Sequence, residues 1–171
     1  AAGGPTDIPG RIIADYLDRS MGQRFLVENR VGAGGMIGAE AVARSDPNGY
    51  TLLYANTSVV AGNPALYKNI TYDAAKAFTY IGFVSSSAQV LVANPKLPFK
   101  TFQEMLAYAK ANPTKINFAS GGVGTLPHLT FELLQLESGM KATLINYNGG
   151  GPALVAVVAG QSDLLFDLLS T

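Results

Sequence analysis

The residues best suited to chemistry lie in one run, Ala119-Ser120-Gly121-Gly122-Val123-Gly124-Thr125-Leu126-Pro127-His128. An apolar, strand-like stretch, Lys115-Ile116-Asn117-Phe118-Ala119, precedes it, and a helix-periodic one, Leu129-Thr130-Phe131-Glu132-Leu133-Leu134, follows. Thr125 stands where a helix N-cap belongs, and Pro127 falls in the first turn, where its missing N–H is not needed. A glycine loop opening onto a helix presents unpaired main-chain N–H groups and the positive end of the helix dipole. That combination attracts an anion, commonly a phosphate or a carboxylate. Ser120 and Thr125 add hydroxyl donors. The same residues also have a plain reading, in which the glycines only turn the chain and Thr125 only caps.

Two further segments repeat the glycine-to-helix theme, Gly3-Gly4-Pro5-Thr6-Asp7 and Asn148-Gly149-Gly150-Gly151-Pro152. Thr6 or Asp7 is the expected cap of the first. Asn56-Thr57-Ser58 ends an apolar run, at the strand end where open α/β sheets take ligands, which makes Thr57 a candidate. Asp7 and Asp167 could form an acid–base pair, although one also has a cap position and the other a strand-end position. A fourth glycine run, Gly32-Ala33-Gly34-Gly35-Met36-Ile37-Gly38, invites a dinucleotide reading. Counted from Gly32, however, the third glycine of that motif should fall where Ile37 stands. No Gly-Lys-Ser/Thr occurs, so the run reads as a loop before a helix. His128, early in a helix, reads more readily as packed or capping than as a catalyst.

Composition narrows the classes. Hydrophobic residues make up 48% of the 171 and charged ones 14%, enough to build a core. Twelve basic residues balance twelve acidic ones, which argues against a nucleic-acid partner. No cysteine is present, so disulfides and thiolate metal sites are excluded, and a single histidine makes a zinc site a poor fit. No cofactor is implied. No apolar run reaches the length of a membrane span.

Periodicity and punctuation supply the elements that position these loops. A helix from Asp7 should bury Ile8, Ile12, Ile13, Tyr16 and Leu17 and end at Gly22. Strands are expected at 25–29, 50–55, 79–84 and 89–93, with a helix over 37–44 and a short one over 63–67. Segment 72–78 reads as a turn-rich connection. Prolines 95 and 98 mark a crossover, giving a first α/β lobe over 1–93 and a second over 94–171. Thr101-Phe102-Gln103-Glu104 is a capping box, and its helix should turn Phe102, Met105, Leu106 and Ala109 inward until Asn112-Pro113. The helix after Thr125 should end near Gly139. Strands at 142–147 and 163–167, with a helix over 153–159 between them, complete a strand–loop–helix rhythm that predicts mostly parallel sheets. The chain opens on a helix junction and closes on a strand, which predicts a segment of a longer protein. The glycine loops of the two lobes are expected to face one cleft, whose helix N-termini favour a ligand with one or two carboxylates.

Several motifs taken together resemble the substrate-binding proteins of tripartite tricarboxylate transporters, the Bug family. They are Gly3–Asp7, Val27–Gly35 continuing to Gly38, Asp46-Pro47-Asn48-Gly49-Tyr50-Thr51-Leu52-Leu53, and Asn63-Pro64-Ala65-Leu66-Tyr67 in the first half. In the second half they are Tyr72-Asp73 to Phe78, Phe118-Ala119-Ser120-Gly121, Gly124-Thr125, His128-Leu129 and Pro152-Ala153-Leu154. The resemblance implies a two-lobed periplasmic-binding-protein-like α/β fold, incomplete at both termini. It also implies a periplasmic location, a small carboxylate ligand and permease subunits as partners. The family's ligand loops fall on Gly3, Gly4, Thr6 and Asp7, and on Ser120, Gly121, Gly122, Gly124, Thr125 and His128. Asp167 matches an acidic strand-end position near the cleft. Asn148-Gly149-Gly150 replaces the family's usual lysine–glycine start and removes a charge from that loop. The alternatives are an enzyme acting on a small carboxylate through Asp7 or His128, and the effector-sensing domain of a transcription regulator. A turnover assay separates the enzyme from a binding protein.

Overall fold

Four strands form one sheet in the computed structural model, which describes residues 1–169. They are β1 (Gln89–Ala93), β2 (Asn117–Ser120), β3 (Thr143–Asn146) and β4 (Leu164–Leu168), in the spatial order β1-β4-β2-β3. β2 is parallel to both β3 and β4, and β1 runs antiparallel to β4. Side chains alternate between the two faces of a strand, so each face acquires its own core. Phe118 and Leu164 pack with Met105 and Ala109 of α5 (Phe102–Ala111) and with Phe131 of α6 (Leu126–Ser138). The Phe118 and Phe131 rings stack at 4.5 Å. Ala119 and Leu165 turn the other way, onto Ala153 and Val157 of α7 (Gly150–Ala159).

Local chemistry sets the helix ends. In the capping box before α5, Thr101 Oγ1 accepts from Glu104 N–H while Glu104 Oε2 accepts from Thr101 N–H, both at 3.2 Å. Glu104 Oε2 also accepts from Lys100 N–H, and these main-chain donors hold its carboxyl below the usual range. α6 ends at Gly139 in the left-handed conformation that glycine adopts without strain.

The first half is helical and looped. It comprises α1 (Asp7–Met21), a tight turn at Ala33–Gly35, α2 (Met36–Ala43), a wide turn at Ser58–Gly62 running into α3 (Asn63–Leu66), and α4 (Ala74–Ala77). Ala39, Val59, Tyr72 and Ala74 form its small core, where Tyr72 donates its hydroxyl proton to the Val59 carbonyl at 2.9 Å.

Four expectations are corrected. Segments 25–29, 50–55 and 79–84 are not strands, and Ile81 and Phe83 are more than four-fifths exposed. Strand propensity becomes a strand only beside a hydrogen-bonding neighbour, and no described segment pairs with these three. The apolar face expected of α1 is open, with Ile12 and Tyr16 exposed while Asp7 and Ala14 are buried. Phe102, expected inward, is exposed at the first turn of α5. β1, placed before the crossover, pairs with β4 from Gln89↔Leu168 to Ala93↔Leu164, so it belongs to the sheet of the second half.

Candidate ligand-binding site

Ser120 is the last residue of β2 and is fully buried. Its Oγ donates to the Gly122 carbonyl at 3.1 Å and accepts the Gly122 N–H, also at 3.1 Å. Thr125 occupies the N-cap position of α6, but its hydroxyl does not accept from the first turn. It points back and donates to the same Gly122 carbonyl at 2.7 Å. His128 Nδ1 accepts from the Gly124 N–H at 3.2 Å, and its Nε2 faces Glu132 Oε1 at 3.9 Å. All three polar side chains of the motif therefore shape the loop. The groups left to meet an anion are main-chain donors. The N–H groups of Val123, Leu126 and His128 have no acceptor among the described residues, as the first turn of a helix requires.

The three glycine-to-helix junctions come together around this loop. Gly149 N–H donates to the Gly121 carbonyl at 3.1 Å. A methyl group built on Gly121 would lie 3.0 Å from Gly150 N, one on Gly150 3.1 Å from Pro5 Cδ, and one on Gly4 3.7 Å from Gly151 N. The Gly3–Pro5 and Gly149–Gly151 loops are thus packed edge to edge beside Gly121. Thr57 reaches the same region from the other side. It lines a cleft of about 230 Å³ with Ser58, Ala61, Gly62, Gly124, Leu126 and Leu129. No lysine or arginine is among those lining residues.

Asp7 is committed to the fold. Its Oδ2 accepts from Gly3 N–H at 2.8 Å and from Arg11 Nε at 3.0 Å, and its Oδ1 accepts from Asn29 Nδ2 at 2.7 Å. The Arg11 hydrogen bond, then those of Gly3 and Asn29, outweigh burial and lower its pKa to about 2. No hydrogen bond joins Asp7 to Asp167 among the described residues, so the structure does not bring them together as an acid–base pair. Thr6, the other expected cap, makes no side-chain cap bond. Asp167 is buried near the end of β4, where its Oδ1 accepts from Leu168 N–H at 2.9 Å. The β2–β4 register pairs Ala119 with Leu165, which carries Asp167 alongside Gly121 two residues on. Its side chain shares the α7 face with Leu165.

Sequence reasoning missed Arg11 and Asn29, the partners of Asp7, and Asn63, which is fully buried between glycine loops. Arg11 carried a signal, since it stands four residues after Asp7 on one helix. Asn29 and Asn63 act across long sequence separations that no local pattern announces. The Gly32–Gly35 run, read as a loop, is packed: a methyl on Gly34 would meet the Val123 carbonyl at 2.9 Å.

A glycine loop at the C-terminal end of β2, opening onto the N-terminus of α6, stands where open α/β folds take ligands. The chain belongs to the family described as "Tripartite tricarboxylate transporter family receptor", which it matches over residues 10–171. It is 39% identical to protein BugT of Bordetella pertussis, over 92% of this chain and 49% of BugT. An R. palustris protein solved with adipate is 30% identical, with a TM-score of 0.95 over 99% of this chain and 56% of that one. MatC from Rhodopseudomonas palustris, solved with bound malate, is 32% identical, with a TM-score of 0.91 over 98% of this chain and 57% of that one. The chain spans about half the length of the curated relatives it matches. This family and these structures are of solute-binding proteins, not enzymes, which sets aside the enzyme alternative.

Proposed function

We propose that this chain is part of a periplasmic solute receptor that captures a small carboxylate and presents it to the membrane permease of a tripartite transporter. The carboxylate sits at the loop preceding α6, held by main-chain N–H groups between Gly121 and His128. Ser120, Thr125 and His128 fix the loop's shape, Thr57 borders the site, and Asp167 limits it beneath Gly121. A second polar end of the ligand meets the Gly3–Asp7 junction. The observation that carries this reading is the set of unpaired N–H groups at the start of α6, beside a cleft with no cationic side chain in its lining. Adipate and malate in the structures of two relatives support the ligand class.

Calorimetric titration of the full-length protein with malate and adipate tests it. Thr125→Ala removes the brace on the Gly122 carbonyl and weakens binding about tenfold, equivalent to roughly 1.4 kcal/mol. Thr125→Ser keeps the hydroxyl and binds nearly as the parent does. A folded Thr125→Ala protein that binds as tightly as the parent shows that the Thr125 brace does not set the shape of the carboxylate site.

A further inference from the structure

Asn63 opens α3 and has no exposed surface. Its Nδ2 donates to the Gly34 carbonyl at 3.2 Å, while its Oδ1 has no donor among the described residues. The nearby Tyr72 hydroxyl interacts with the Asn63 side chain but gives its proton to the Val59 carbonyl. A buried acceptor without a partner lowers stability, so an apolar side chain of the same size would satisfy packing better. The surroundings indicate what the amide does there. A methyl on Gly34 would lie 3.0 Å from Asn63 Oδ1, and one on Gly124 3.1 Å from the same atom. One on Gly62 would lie 3.2 Å from the Gly124 carbonyl. Two glycines from two loops, Gly34 and Gly124, thus close on the buried amide, and Gly62, the residue before Asn63, abuts the carbonyl of Gly124.

We propose that Asn63, seated among Gly34, Gly62 and Gly124, is a positioning residue of the carboxylate site. It ties the first half of the chain to the loop before α6 and sets that loop's shape without touching the ligand. The idea rests on the function proposed above for the choice of ligand, but not for the loop coupling itself. Gly62 has φ −67° and ψ −51°, which any residue adopts, so a side chain there acts only as a wedge against the Gly124 carbonyl. Interactions of this kind couple one site to another through packed contacts.

The test uses the full-length protein and four variants: Gly62→Ala, Gly62→Val, Asn63→Leu, and Gly82→Ala as control, since a methyl on Gly82 meets nothing within 4 Å. Hydrogen exchange without ligand is expected to quicken about tenfold at 121–126 in Gly62→Val and Asn63→Leu, and less in Gly62→Ala. Affinity for malate and adipate falls about tenfold in the same order, while the ligand-free melting temperature stays near the parent's. Exchange and affinity matching the Gly82→Ala control in both Gly62→Val and Asn63→Leu overturn the proposal. A parent protein that binds neither malate nor adipate overturns the proposed ligand class, and exchange at 121–126 still decides the coupling by itself.

Discussion

Asp7 was read as a cap and a possible acid, yet at the residue scale it is an ionised tie between the first loop, α1 and the segment carrying Asn29. With three donors holding its pKa near 2, the sign of its pH effect follows. A carboxyl whose folded pKa is depressed contributes stability that is present above its ordinary value near 4 and is lost as pH falls through the folded value. Urea unfolding between pH 2 and pH 5 is expected to show this loss, and Asp7→Asn to flatten that limb while lowering stability at neutral pH. An acid limb of the same slope in the parent and the variant would remove Asp7 from this role. His128 follows the same logic: a lone histidine in a helix's first turn is a bracing group, its Nδ1 committed to Gly124.

Helix termini were the most legible elements, because their signals are local. The Thr101 box, the Gly22 and Gly139 stops and Pro127 in the first turn of α6 all stand where the residue types placed them. Thr101→Ala is expected to destabilise the protein by about 1 kcal/mol, read as a lower denaturation midpoint with unchanged denaturant slope. Strands were legible only where a neighbour exists. Gln89–Ala93 and Thr143–Asn146 found partners, whereas Tyr50–Ala55, equally apolar, found none among the described residues. The loop of the candidate site was legible as a strand–glycine–helix junction but not in its wiring. The glycine pattern locates the loop, but nothing in Ser120 or Thr125 reveals that both hydroxyls turn to one carbonyl. That depends on how the loop folds back over β2.

Across the whole molecule, a balanced charge and an isoelectric point near 6.8 coincide with a row of exposed apolar side chains at Tyr80, Ile81, Phe83 and Val84. An unpaired apolar segment rich in β-favouring residues is a template for association, and zero net charge removes the repulsion that would oppose it. The 171-residue chain is expected to be least soluble near pH 7 and to gain solubility with Phe83→Lys, measured as the concentration left in solution after centrifugation. Equal solubility of parent and variant across pH 5–9 would show that this segment does not drive association.

The crowding at Gly34 and Gly124 also bears on how the sequence can drift. Both glycines combine a left-handed backbone with close neighbours, since a methyl would meet the Val123 carbonyl at 2.9 Å on Gly34 and the Asn63 and Leu66 side chains at 3.1 and 3.2 Å on Gly124, whereas Gly139 has the same backbone and open space around it. Asparagine tolerates the left-handed region, so Gly139 has an escape route through Asn, while any side chain at Gly34 collides with a main-chain carbonyl and one at Gly124 must displace Asn63 and Leu66. A saturation-mutagenesis library selected for folded protein should recover asparagine readily at position 139, only glycine at position 34, and asparagine at position 124 less often than at 139. Natural variation along this lineage would then be channelled away from the junction around Asn63 and toward the helix ends.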